Sequence, residues 1–197
     1  MDKGQDKKKM NRIELPTLQS GIVQAIPADA GWRGEIRVLN IDLVVIDLTT
    51  CARCVPTGDQ LENAVRLLTP AAKAMGIDLK YQAIVVQSEA EAKKHALLSS
   101  PTIRINGRDI AQDIRESVCE SCGDLTENNT VVDCREWHYR GKVYSSAPLP
   151  MLLETIMTAM LNIDQEPPVA PAPLDELPEN LKAYFQNRKG AGNSCCK

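Results

Sequence analysis

Seven cysteines fall in three groups along the chain: Cys51 and Cys54, then Cys119, Cys122 and Cys134, then Cys195 and Cys196 near the end. A thiolate is both a nucleophile toward disulfides and a ligand for soft ions, so closely spaced pairs point to redox exchange or to a metal site. The pair in "CARC", residues 51 to 54, stands directly after an apolar run and directly before a helical pattern. At a helix start, unpaired amides and the macrodipole favour a thiolate over a thiol. Arg53 adds a nearby fixed positive charge that lowers the pKa further. On this reading Cys51 is the nucleophile and Cys54, one turn on, is the resolving thiol that attacks a mixed disulfide on Cys51. Inert packing of the pair is the bland alternative.

The stretch "ESVCESCGDLTENNTVVDCREWH" carries the second group, Cys119, Cys122 and Cys134, with His138 as a fourth candidate ligand. The spacing has the form of a structural zinc site. If residues 133–139 form a strand, however, Cys134 and His138 stand about 13 Å apart, too far to share one ion. Three thiolates are then left, a set that suits zinc with a water, mercury or trivalent arsenic. A disulfide within the group that passes electrons on from the first pair is the redox alternative. A loop with incidental cysteines is the bland one. A single ion held by Cys51, Cys54, Cys119 and Cys122 requires the second group to fold back over the helix that follows the first.

The elements that must position these residues come from the rest of the chain. Its 197 residues are enough for one ordinary domain plus tails, and 43% apolar content supports a core although only one Phe and two Trp occur. A formal charge of −3 gives no basic field for nucleic acid. No apolar run approaches the ~20 residues that cross a bilayer, and "GIVQAIPADAG" is too short and broken to be a signal core. The expectation is a soluble cytoplasmic protein with no nucleic-acid or membrane partner, whose cysteines are mostly reduced. Residues 1–33 read as an N-terminal extension, 34–164 as the periodic domain with an insert over about 113–134, and 165–197 as a Pro-rich linker with a flexible tail.

Within the domain, "EIRVLNIDLVVIDL" predicts a strand covered on both faces. Thr57 with Gln60 reads as a capping box, followed by Leu61, Ala64, Val65, Leu68 and Met75 at helical spacing, with Pro70 expected to kink or split the helix. "LKYQAIVV" is the next strand, and Ser88 with Glu91 caps a second helix. "PTIRINGRDI" predicts a hairpin turning at Asn106-Gly107, and "CREWHYRGKVYSS" another turning at Arg140-Gly141. "PLPMLLETIMTAMLNI" predicts a helix with Leu153, Ile156, Met157 and Met160 on one face. A helix between the first two strands implies a parallel, right-handed βαβ unit. His95 reads as solvated, Asp42 or Asp47 as a proton relay to Cys54 or a strand end, and Trp137 and Tyr139 as packing.

This order, with "CARC" at the start of the first helix and "SPT" before the third strand, resembles the thioredoxin-like superfamily over roughly residues 35–163. It is similar in particular to an uncharacterised prokaryotic family of thioredoxin-like domains with a Cys-rich insert. The resemblance implies an α/β fold with a mixed sheet, a βαβ unit, a β-hairpin and a C-terminal helix. It also implies that Ser100-Pro101 is cis, that Pro101 lies beside the thiol pair, and that a backbone edge stays open there for a substrate chain. Thr50 stands where that superfamily has Trp, and Ala52-Arg53 where it has Gly-Pro. The expected activity is that of a thiol–disulfide oxidoreductase, with Cys51, Cys54 and Pro101 at the site and protein or small-molecule thiols and disulfides as partners. The alternative is a zinc, mercury or arsenite binding protein that uses Cys119, Cys122 and Cys134 and the tail thiols. Vicinal cysteines such as Cys195-Cys196 resemble tails of proteins that handle arsenic and mercury, and about 30 Å of tether would let them visit the domain.

Overall fold

The structure is a computed structural model and describes residues 34–189 except 112, 128 and 129. The N-terminal extension and Cys195 and Cys196 lie outside the described residues. The described chain is α/β. Strand β1 (Arg37–Val45) leads into α1 (Cys54–Ala74), β2 (Ile77–Val85) and α2 (Glu89–Lys94). Next come β3 (Thr102–Ile105), β4 (Arg108–Asp109), β5 (Arg115–Val118), the single turn α3 (Glu120–Gly123), β6 (Asp133–Tyr139) and β7 (Lys142–Tyr144). Two helices, α4 (Leu149–Leu161) and α5 (Glu179–Asn187), close the order.

Four strands form a mixed sheet in the order β2-β1-β3-β4, with β1 parallel to β2 and antiparallel to β3. Leu43, Val44, Val45 and Ile46 are all buried, so the end of β1 nearest the first cysteine pair is covered on both faces. The hairpin β3–β4 turns where expected: Asn106 and Gly107 have φ of 49° and 80°, the two left-handed positions of a tight turn. Gly107 is required twice over, because a Cβ there would meet the carbonyl oxygen of Val169 at 1.8 Å.

A second sheet, β5-β6-β7, is antiparallel throughout. We call this three-stranded unit, Arg115 to Tyr144, the insert for the sequence segment it contains; β5 pairs with the same strand that forms the second hairpin. Its strands span four, seven and three residues. They are held to the main sheet by Arg135, fully buried, whose guanidinium donates to both carboxylate oxygens of Asp109 at 2.7 and 2.8 Å and lies 5.6 Å from the Trp137 ring.

Three local expectations change. Helix α1 begins one turn early, at Cys54, so Thr57 lies inside it. The buried Thr57 hydroxyl accepts from the Ala147 N–H at 3.2 Å, tying α1 to the approach of α4, and no capping box forms. Pro70 does not split α1. In α4 the buried line is Leu152, Ile156 and Met160, four residues apart, while Met157 faces outward at 49% exposure.

The Pro-rich segment is docked up to Lys189 and does not swing freely. Val169 N–H donates to Asn106 O at 3.0 Å and Leu174 N–H to Lys93 O at 3.0 Å. Helix α5 then buries Leu181, Tyr184 and Phe185 along one face. Polar composition suggested a tether, but backbone bonding to the β3–β4 turn and this apolar stripe outweigh it. Leu181→Ala should consequently lower stability by about 2–4 kcal/mol, as for other fully buried leucines. Urea denaturation checks this, and a midpoint unchanged from the parent protein would mean that α5 is not docked.

Candidate functional site

The loop after β1 sets the position of Cys51. The carboxylate of Asp47 accepts from the N–H groups of Thr49 at 3.0 Å, Thr50 at 2.7 Å and Cys51 at 2.7 Å, and from the Thr49 hydroxyl at 2.6 Å. Burial pulls its pKa up, but these bonds outweigh burial and hold the carboxyl below its ordinary range. Asp47 is thus an ionised brace for the loop and is committed there. Asp42, on the strand itself, accepts from Gln82 Nε2 at 2.7 Å, so neither carboxylate serves as a relay to Cys54.

Helix α1 starts directly after that loop, and the Cys54 N–H donates to Cys51 Sγ at 3.3 Å. The turn α3 starts directly after Cys119, whose carbonyl accepts from the N–H groups of Cys122 and Gly123, both at 3.1 Å. One helical turn therefore brings Cys119 and Cys122 to the same side. Strand β6 supplies Cys134. These elements converge. Cys122 Sγ lies 3.2 Å from Cys51 Sγ and 3.1 Å from Cys134 Sγ, and the sulfurs of Cys51, Cys119 and Cys122 all lie within 4.8 Å of one another. The separations far exceed the ~2.05 Å of a disulfide, so all five described cysteines are free thiols.

The insert makes this contact by lying across the start of α1. Arg53 Nη1 donates to Cys134 O at 2.9 Å, and Nη2 to Val118 O at 2.7 Å and Ser117 Oγ at 2.8 Å. Ala52 N–H donates to Ser121 Oγ at 3.0 Å, and that hydroxyl lies 3.3 Å from Cys119 Sγ. Arg53 therefore clamps the insert rather than serving as a charge beside Cys51 alone. Ser100-Pro101 is cis and Pro101 is buried in the loop beside Cys54, whose Sγ lies 3.4 Å from Ser100 Oγ. The backbone edge expected to stay open there is filled by the chain itself: Ser100 O accepts from the Arg135 N–H of β6 at 2.9 Å.

Burial is nearly complete. Cys51, Cys54, Cys122 and Cys134 are 0% exposed and Cys119 4%. Tyr184 of α5 also packs close, its phenol pushed up to about 12 by burial against the opposing pull of Arg188. Hydrogen bonds from Cys119, Cys122 and Cys134 hold the Cys51 thiol well below its ordinary range. Cys54 is pushed up, first by its bond to Cys51 and then by burial. Cys119 is lowered to about 6 by Cys122 and Cys134, while Cys122 and Cys134 are both raised, first by Cys119. The negative charge thus concentrates on Cys51 and Cys119.

His138 stays outside. Residues 133–139 do form a strand, and the exposed His138 ring lies 3.7 Å from Glu136 Oε2. Ser121, Ser100 and the clamping role of Arg53 went unread in the sequence. All three act through partners more than 45 residues away, which no spacing reveals.

The site and fold define an α/β protein with a buried cluster of thiols shared between its main sheet and an inserted one. The chain belongs to the family described as a domain of unknown function (DUF2703), whose model matches residues 39–156. That span takes in all five described cysteines and ends before α5. Neither curated proteins nor solved structures offer a match to the chain. No described helix is long and apolar enough to cross a membrane.

Two outcomes follow for the metal-free protein. Iodoacetamide should reach Cys119 first. Because the thiolate is the reactive form and its pKa is about 6, the rate should be flat above pH 7 and fall as pH drops below 6. Mass mapping of the labelled peptides across pH checks both statements. Arg53→Ala should release the insert and raise Cys51 labelling at least tenfold, about 1.4 kcal/mol of opening free energy. An unchanged Cys51 rate would show that the clamp contributes nothing to closure.

Proposed function

We propose that this chain binds one thiophilic ion in a closed thiolate centre built on a thioredoxin-like frame, with Cys51, Cys119 and Cys122 as ligands and Cys134 either as a fourth ligand to a divalent ion or as a thiol donor beside trivalent arsenic. The observation that carries this reading is the convergence of three buried sulfurs within 4.8 Å, a fourth standing 3.1 Å from one of them. An ion held at ~2.3 Å from each sulfur spaces a tetrahedral set by roughly 3.8 Å, a small expansion of the present cluster. A centre closed by protein sulfur leaves no position for substrate water, so its role is holding or carrying the ion rather than hydrolysis.

Charge ranks the candidate ions. Four thiolates around a divalent ion leave a net −2 in a place with few donors, among them the Cys54 N–H and the Ser121 hydroxyl. Burying such charge is costly. Three thiolates around trivalent arsenic leave none, and Cys134, whose thiol is raised, then stays protonated as a hydrogen-bond donor. Three convergent sulfurs match that stoichiometry, so arsenite is the favoured ion ahead of zinc held by four thiolates.

A second reading, thiol–disulfide exchange, draws on the Cys54 N–H bond to Cys51 Sγ at the start of α1. It requires the insert to swing away, since β6 occupies the edge beside Pro101 and Cys51 is fully enclosed. The two readings separate on one pair of variants. Under ion binding, Cys51→Ser should weaken arsenite affinity at least about 100-fold, beyond the effect of an outer-shell partner, and Cys54→Ser should change it less than about fivefold. Native mass spectrometry with competition by a small dithiol measures both. Absence of a stoichiometric ion, together with disulfide turnover that is lost in Cys54→Ser, would sink the ion-binding reading in favour of exchange.

A further inference from the structure

The five described thiols converge, but they are not equally reachable. Cys51, Cys54, Cys122 and Cys134 are fully enclosed, and Cys119 alone of the five keeps a trace of exposure. Cys119 also lines a cavity of about 330 Å³, together with Val118, Glu120, Gly123, Asp124 and Val131. The cavities at the β3–β4 turn, beside Trp137 and at the start of β2 carry no cysteine. Bonded chain shuts the cluster elsewhere. Arg53 is clamped onto the carbonyl of Cys134, and the Arg135 N–H closes the edge at Ser100, next to Cys54.

The cavity beside Cys119 has a definite chemistry. Val118 and Val131 stand exposed at its rim, at 56% and 66%. Glu120 and Asp124 bring two carboxylates to it, against the one ammonium of Lys189, which donates to the Asp124 carbonyl at 2.7 Å. Excess negative charge repels anions from such a mouth and leaves a neutral solute free to enter. Next to it, Ser121 Oγ accepts from the Ala52 N–H, so its own proton is available to Cys119 Sγ, 3.3 Å away. A hydroxyl donating to sulfur favours the thiolate, the form that attacks. Arsenous acid carries no charge in neutral water and is small enough for this space.

We propose that this cavity is the port of the buried centre and that Cys119 is its exchange ligand, the first sulfur to bond entering arsenous acid and the last to release it. The proposal rests on the ion-binding reading above. The steps balance without any change of oxidation state. Cys119 Sγ bonds arsenic, one As–OH bond breaks, and the hydroxide leaves as water with the proton of that thiol. Cys122, one helical turn on, displaces the second hydroxyl in the same way. Cys51, whose sulfur lies 3.2 Å from that of Cys122, displaces the third. Three As–OH bonds are exchanged for three As–S bonds, and three waters leave. Release runs through the same steps backwards, so the enclosed ligands never have to meet solvent themselves.

The test obstructs the port without altering a ligand. Val131→Trp and Val118→Trp each place a large ring at the rim from an exposed position, and Val143→Trp, 56% exposed on β7, is the control. Arsenite affinity is measured by dithiol competition, and loading and release are followed by the ultraviolet absorption of the As–S bonds. Both rim variants should keep the parent affinity within about threefold while loading and release slow together by about tenfold or more, since an obstruction on the path changes both rates and leaves the equilibrium alone. Val143→Trp should match the parent. In the metal-free protein, the Glu120→Gln/Asp124→Asn double variant should narrow the preference of Cys119 for neutral iodoacetamide over anionic iodoacetate by about threefold or more. Parent loading rates in both rim variants, equal slowing in the control, or an unchanged alkylation preference would overturn the port and leave the buried centre standing. Absence of arsenite binding in the parent protein would overturn the centre and the port together.

Discussion

From the first turn of α1, the Arg53 guanidinium reaches the carbonyls of Val118 and Cys134 and the hydroxyl of Ser117, bridging both strands that flank the α3 turn. A rigid planar fork with five donors can span two strands in this way, and a lysine could not. The carbonyls it satisfies belong to Cys134 itself and to the residue before Cys119, so the clamp fixes the cysteine backbones as well as the sheet. Its hydrogen-bond partners are neutral, and its charge also acts on the Glu136 carboxylate. The convergence of the thiols depends on this residue.

Closure by the insert changes what the Cys51-Cys54 pair can do. A pair at a helix start with an open backbone edge would accept a polypeptide substrate. Here Arg135 N–H already bonds Ser100 O, and that same residue is locked to the half-buried Asp109 by a bidentate ion pair. Removing Asp109 would leave the fully buried guanidinium uncompensated, so β6 does not leave its place easily. The thiols consequently see each other rather than solvent. Low local polarity strengthens their mutual hydrogen bonds and penalises net charge.

The Pro-rich segment and α5 add a second layer of enclosure outside the span matched by the family. Tyr184 packs close enough to feel the Asp47 carboxylate, and the chain beyond it is pinned to the loop after α3. Stability and access are thereby linked. The apolar stripe that docks α5 also brings Lys189 to the loop after α3.

Much of this protein was legible in its residues. The strand at "LVVI", the helix after "CARC", both hairpin turns and the Ser88 cap follow from local rules of side-chain period, positive φ and terminal hydrogen bonding, which depend on neighbours in the chain. The spacing of Cys134 and His138 on one strand was enough to set the histidine apart from the thiols. The capping box at Thr57 misled because the hydroxyl found a tertiary partner, the Ala147 N–H, ninety residues away. The union of two cysteine groups into one cluster is a matter of tertiary structure alone. Cys51 and Cys122 are 71 residues apart, and their contact depends on a three-stranded insert, the Arg135–Asp109 pair and the Arg53 clamp. Sequence spacing reports which thiols share a turn or a strand. Which turns share a site is decided by packing and by the search of buried donors for distant acceptors.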